Sequence, residues 1–398
     1  MLEFIIMLVN VGILPEIYSY SILSIFAIFV YQFYKRRKIN LNAIQSSIAW
    51  LVAVMGLFFS FNYPSFSDYP TSTCLVLYVI LPFFVFISGF EIVYINEINV
   101  DDIIRRVIYA IVLGTAIHVI LNIVANLGND RWHIVDFFVG ERAATNLGAL
   151  NTVIFSLLPA LILERNKRIK IIGLICFAIS VVYSFILGTR TQLYLLAIVL
   201  ILSLLLYLFN RYRGKLSVKT ILKVVFGIAL LIGIAYIVYT QNYFGIQTKI
   251  LRSNLAYRYI DIDTAGSDSY RMRLLKQGLS DLWVYPTGRN HSVSYFHNYW
   301  LDIGRVGGII PFILSVLITI ISILHMWKVF RYRQIESTIR FGLFGIYLGV
   351  FLNYMMEPIM DGYLHLVYRF LFINGMVEAL YSSIKHDRLE KTLDESLK

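Results

Sequence analysis

Residues 269–308 concentrate the groups in this chain that can do chemistry. The stretch runs Ser269-Tyr-Arg-Met-Arg273, Tyr285-Pro286-Thr287-Gly288-Arg289, His297-Asn298-Tyr299-Trp300-Leu301, then Gly304 and Gly307-Gly308. His297 titrates near neutral pH and can take a proton from a hydroxyl. Asn298 beside it can orient an imidazole; the plainer reading of His297 is a solvated ring at a membrane boundary. Arg271, Arg273 and Arg289 bring planar guanidinium forks, which make bidentate, charge-assisted bonds to phosphate oxygens. A base and several cations where a loop re-enters a membrane suit chemistry on an anionic, lipid-linked substrate.

Two further arginines stand apart in sequence. Arg190, in Gly188-Thr189-Arg190-Thr191, separates two apolar runs by almost nothing. A cation so close to hydrocarbon is expensive unless it is paired, snorkels or faces a polar cavity. Arg142, in Gly140-Glu141-Arg142, marks the mouth of another loop, and Glu357 and Asp361 border the last one. The other six of seven histidines read as packed, span-end, loop or tail residues. Asp261-Ile262-Asp263 resembles a metal–nucleotide signature, but two carboxylates are a thin ligand set for Mg²⁺. No P-loop, zincin or nucleophile-elbow motif occurs, so neither metal ligands nor a cofactor site is expected.

Membrane helices must position these residues. Of 398 residues, 58% are hydrophobic and 15% charged, and mean hydropathy is +0.71; soluble domains are about 25% charged. Apolar runs long enough to cross a bilayer fall at 17–34, 41–60, 73–95, 107–127, 145–163, 171–187, 191–209, 220–240, 298–326, 341–357 and 364–382, with residues 1–14 as an optional further helix. The expected fold class is therefore all-α: one polytopic integral membrane domain, residues 1–398, with 11–12 transmembrane helices. Cys74 and Cys176 lie in apolar runs and read as small packing residues.

Orientation follows from the basic residues near span ends. Most of the 35 lysines and arginines fall on one side, at Lys35–Lys38, Arg105-Arg106, Arg165–Lys170, Arg211–Lys223, Lys328–Arg340 and Lys385–Lys398. That side reads as cytoplasmic. The net charge of +11 then implies attraction to anionic lipid, not to nucleic acid. Residues 241–297 form a large loop on the opposite, extracytoplasmic face. It holds Lys249, Arg252, Arg258, Arg271, Arg273, Lys276 and Arg289, which a long loop is free to carry. Within it, residues 269–283 read as an amphipathic helix, with Met272, Leu275, Leu279 and Leu282 as its apolar stripe. Such a helix can lie in the headgroup layer.

The run from Ser269 to Gly308 resembles the signature of the O-antigen polymerase and O-antigen ligase superfamily. That signature has an arginine ahead of a helix, Pro-x-Gly, His-Asn-x-aromatic, and a glycine pair entering a span. Gly188–Thr191 is similar to the family's arginine between two spans, and Arg142 with Asn151 to its earlier Arg…Asn element. Where the family carries Gly-x-Gly, this chain has Gly288-Arg289-Asn290, which brings Arg289 into the candidate site. The resemblance implies a GT-C-like fold in the bacterial cytoplasmic (inner) membrane and glycosyl transfer on its outer face. The donor would be a growing O-antigen or capsule glycan on undecaprenyl diphosphate, and the acceptor a hydroxyl of the next lipid-linked repeat unit. His297 would be the general base. Arg190 and Arg271, then Arg273, Arg142 and Arg289, would hold the diphosphate, with Asn298 beside them and no metal required. Tyr270, Trp283, Tyr295 and Trp300 could line the glycan path. A chain-length regulator is a candidate partner. A ligase with another acceptor shares every residue named, and a flippase of lipid-linked oligosaccharide is the more distant alternative.

Overall fold

The computed structural model describes residue 34, residues 41–94, 100–129, 133–212, 236–253, 268–361 and 363–396, and the single positions 222, 226, 230, 233 and 256. The runs 1–14, 17–34 and 220–240, and the Asp261–Asp263 pair, lie wholly or largely outside the described residues. The chain is almost entirely helical. In order come α1 (Ser47–Asn62), α2 (Leu81–Tyr94), α3 (Val100–Ala125), a two-stranded hairpin of β1 (Val135–Asp136) and β2 (Gly140–Glu141), α4 (Ala144–Ser156), α5 (Leu158–Leu163), α6 (Lys167–Leu187) and α7 (Arg190–Tyr212). After residue 267 come α8 (Asp268–Val284), α9 (Tyr299–Gly307), α10 (Ile309–Arg331), α11 (Ser337–Met356) and α12 (Leu364–Ser396).

Seven helical segments among the described residues are long and apolar enough to cross a membrane: Ser47–Ser65, Thr71–Val93, Asp101–Ala125, Ala144–Leu163, Lys167–Leu187, Ile309–Arg331 and Ser337–Met356. Each overlaps one of the apolar runs read above. Arg190–Leu202 is a shorter apolar helix. α12 has the length but carries His365, Arg369 and Glu378, so it falls outside that set although all three are buried.

Helices here approach closely where side chains are small, because apolar surface alone gives no preference between helix and lipid. α2 and α12 meet backbone to backbone: a Cβ on Gly89 would lie 1.9 Å from the Phe372 carbonyl, and one on Gly375 would lie 2.1 Å from that of Phe86. The main core gathers α1, α2, α3, α9, α11 and α12 around Phe59, Tyr78, Phe86, Ile303, Tyr347 and Met376.

Two apolar runs that hydropathy joins are divided in the fold. The run 145–163 breaks at Leu157, where Pro159 opens the next turn as α5. The run 298–326 is two helices. α9 ends at Gly307, and Gly308, at φ 92°, redirects the chain into α10.

Candidate functional site

The module from α8 to α10 is built on a close crossing of two loops. Gly288 (φ 84°) and Gly308 (φ 92°) face each other, and a Cβ on Gly288 would lie 2.1 Å from the Val306 carbonyl. With no side chains between them, the two backbones bond directly. Arg289 N–H donates to Val306 O at 3.1 Å, Asn290 N–H to Arg305 O at 3.0 Å, and Ile309 N–H to Pro286 O at 2.9 Å. Asn290 Nδ2 donates back to Asp281 Oδ2 of α8 at 2.8 Å. Leu274 and Leu282 of α8 pack on Phe296 and Leu301, and Gly278 lets Phe296 in close. The Pro-x-Gly turn and the glycine pair are thus two halves of one joint.

His297 sits on that joint, just before α9, in the left-handed region at φ 54°. The conformation is uncommon for a non-glycine residue. It is held from both sides: Phe296 N–H donates to Asp302 Oδ1 at 2.6 Å, and Asn298 Oδ1 accepts from Leu301 N–H at 3.2 Å as the N-cap of α9. The Asn298 amide oxygen therefore serves the helix start. The imidazole meets the Tyr295 ring edge-on at 4.6 Å. Its Nδ1 is buried with no hydrogen-bond partner. Burial first, and the Arg271 charge second, lower its pKa from 6.5 to about 4. At neutral pH the ring is uncharged, and it lies within the field of a guanidinium.

The loop before α12 is tied to the start of α4. The Tyr363 hydroxyl donates to Thr145 Oγ1 at 2.6 Å and lies 3.5 Å from Glu357 Oε2, buried with it. Thr145 is in the first turn of α4, three residues after Arg142. Arg142 is half-buried, and its Nε is buried without a hydrogen-bond partner. One turn further along α4, Gly148 abuts Thr189, the residue before half-buried Arg190 at the start of α7. The sequence-distant arginines, Arg142 and Arg190, thus flank one helix end. Tyr363 ties that end to the loop before α12.

The hairpin carrying Arg142 is fixed by a buried polar network. His118 Nε2 lies 2.7 Å from Asp136 Oδ2 and Asn122 Nδ2 3.2 Å from it. Burial pushes the Asp136 carboxyl up, but His118, the Phe138 N–H and Asn122 outweigh it and hold the pKa at about 2. Asn126 brackets Val135 through both backbone groups, and Arg142 N–H donates to Ile134 O at 3.1 Å.

The remaining residues read from the sequence take other places. Arg273 is exposed and lies over the Tyr270 ring at 5.9 Å. Arg289 is exposed, and its Nε donates to Asn62 Oδ1 at 2.9 Å, which pins the 286–289 turn to the end of α1. Trp300 Nε1 donates to Thr319 of α10 at 2.9 Å, within the bundle, whereas Tyr270, Trp283 and Tyr295 are exposed. Asp302 braces the His297 turn, and Tyr363 with Thr145 braces the start of α4; none of the three is among the residues read from the sequence. Asp302 alone carries a signal in the sequence: a carboxylate in the first turn of a helix that starts beside a histidine.

No protein-family model and no curated protein matches this chain.

Proposed function

We propose that this chain is a membrane glycosyltransferase that polymerises a polysaccharide. It moves a growing glycan from undecaprenyl diphosphate to a hydroxyl of the next lipid-linked repeat unit. The observation that carries the reading is His297: an uncharged imidazole with an unpartnered buried Nδ1, held in a left-handed turn within reach of the Arg271 charge. In the reaction the acceptor O–H gives its proton to His297 as its oxygen attacks the sugar C1. The C1–O bond to the diphosphate breaks, and undecaprenyl diphosphate leaves with the electron pair. Fixed cations stabilise that developing charge without reorganising. Arg271, Arg190 and Arg142 are the cations assigned to it.

The same reading puts the fold in the GT-C-like class and the protein in the bacterial inner membrane, with the 241–297 loop on the extracytoplasmic face. A small apolar cavity lined by Met55, Tyr78, Tyr299, Thr319, Tyr354 and Tyr368 lies beside the start of α9. Purified protein given a defined lipid-diphosphate repeat unit tests the proposal. Ladders of lengthening product support it; movement of substrate across a bilayer with no new glycosidic bond refutes it in favour of a flippase.

A further inference from the structure

α8 presents three different faces, and one of them is left unexplained by the site. Its packed face, Leu274, Gly278 and Leu282, meets Phe296 and Leu301. Its polar face carries Arg273, Lys276, Gln277 and Ser280, all exposed. Between these runs a third sector: Met272 at 55% exposure, Leu275, Leu279 at 48% and Trp283 at 77%. At about 100° per residue these four share one stripe, roughly a third of a turn from the packed face. The stripe read from the sequence thus turns away from the protein, with Leu282 alone facing inward.

The position of that stripe identifies what covers it. α8 ends at the turn whose Pro286 carbonyl accepts from the N–H of Ile309, the first residue of the membrane-length helix α10. Exposed Trp283, Val284 and Tyr285 therefore lead to the end of α10, where the exposed residues Ile310, Ile313 and Leu317 begin. Aromatic side chains at such a level are typical of the membrane–water boundary. Arg273 and Lys276 lie along one edge of the stripe. In a two-fold pairing of this face with a second copy, the same cations would meet each other; against phosphate headgroups they are attracted.

We infer that α8 is an interfacial helix, seated by Met272, Leu275, Leu279 and Trp283 in the bilayer leaflet at this end of the bundle, with Arg273 and Lys276 on anionic headgroups. Its packed face, about a quarter to a third of a turn away, then bears Arg271 near enough to His297 for its charge to act on the ring, so the lipid surface helps set the position of that cation. The surface itself does not depend on the transfer reaction proposed above.

Spin labels read the seating directly. Cys74 and Cys176 are buried, so Leu279→Cys and Gln277→Cys each provide one reactive site. The full-length protein is placed in nanodiscs of phosphatidylethanolamine and phosphatidylglycerol, and collisions with oxygen and a water-soluble nickel chelate are compared. Expected is a several-fold preference for oxygen at position 279 and for the nickel chelate at position 277. Equal nickel access at both positions would overturn the inference. So would a label at 279 shielded from both reagents and broadened by a neighbouring spin, which would assign the stripe to a second copy. Replacing phosphatidylglycerol with phosphatidylcholine is expected to make 279 shallower; an unchanged depth would remove the anionic headgroups.

Discussion

Asp302 Oδ1 accepts the Phe296 N–H at 2.6 Å, one residue before His297. The carboxylate is fully buried, and this bond crosses the start of α9 to hold the loop that arrives there. Asp302→Ala leaves a buried N–H unpaired, which costs about 1–3 kcal/mol, and releases the left-handed turn at His297. The expected result is a loss of polymerising activity, chiefly in kcat, on the order of 10- to 100-fold if that energy is felt in the transition state. Asp302→Asn keeps an acceptor and is expected to recover much of the loss. Equal damage from both variants would point to the charge beside Arg305 as the important feature.

His297 poses a problem of separation, because its backbone conformation and its ring can both matter. Asparagine tolerates the left-handed region better than most residues, so His297→Asn keeps the turn and removes the base. Expected is protein that inserts and melts as the native does, with single repeat units accumulating and transfer lowered about 10²–10⁴-fold. Native polymer lengths from this variant would take the imidazole out of the mechanism.

Arg271 supplies a pH signature. The imidazole acts as a base only when uncharged, and burial together with the Arg271 charge sets its pKa at about 4. Activity carried by the neutral ring therefore persists on acidification and falls only as pH approaches that value. Arg271→Gln removes one of the two causes of lowering, so the pKa rises toward 6.5. The acidic limb of kcat/KM is expected to move to higher pH, which a profile between pH 4 and 8 measures. A limb that stays in place would mean the two residues do not interact in the working protein.

Much of the architecture is legible in the sequence for simple reasons. Apolar length marks helices such as 171–187 and 341–357 because a span needs about 20 such residues, and the described helices follow those marks. The break at Gly307-Gly308 is not legible that way: the apolar run continues through it, and what divides it is the backbone of residues 286–290, folded against it from a distance. That the Arg271 charge reaches His297 fits their place within one short loop motif. Placing Arg142 and Arg190 at one helix end requires Thr145, Tyr363 and Gly148, whose residue types carry no chemical signal by themselves. Arg289 and Asn298 have the types a substrate site uses, yet the fold gives Arg289 Nε to Asn62 and the Asn298 amide oxygen to the α9 cap.

Gly288 tests whether the joint matters independently of any charged group. Its φ is 84°, and an added Cβ would sit 2.1 Å from Val306 O, so Gly288→Ala meets both a conformational and a steric barrier. The crossing bonds of Arg289, Asn290 and Ile309 are expected to weaken together. Asn290→Ala, which removes the side-chain bonds to Asp281 and Ser292 but leaves the backbone crossing in place, is expected to be milder. Thermal unfolding in lipid nanodiscs and protease sensitivity near residue 290 rank the two. A Gly288→Ala protein as stable and closed as the native would show that the turn has another conformation available.

Arg190→Lys separates fork from charge at the far side of the site. Arg190 is half-buried at the start of α7, next to Thr189, which is packed against α4. Lysine keeps the positive charge but has a single compact ammonium in place of two coplanar donors. If Arg190 holds a diphosphate bidentately, the substitution is expected to lower kcat/KM by about tenfold or more, the equivalent of one charge-assisted hydrogen bond at about 1.5–3 kcal/mol. Arg142→Lys at the other flank is expected to behave alike. A double variant losing no more than either single one would indicate that both arginines grip the same phosphate group, because residues acting on one partner are not additive. Full activity in Arg190→Lys would instead assign that position to a charge at the membrane boundary, with no direct hold on the substrate.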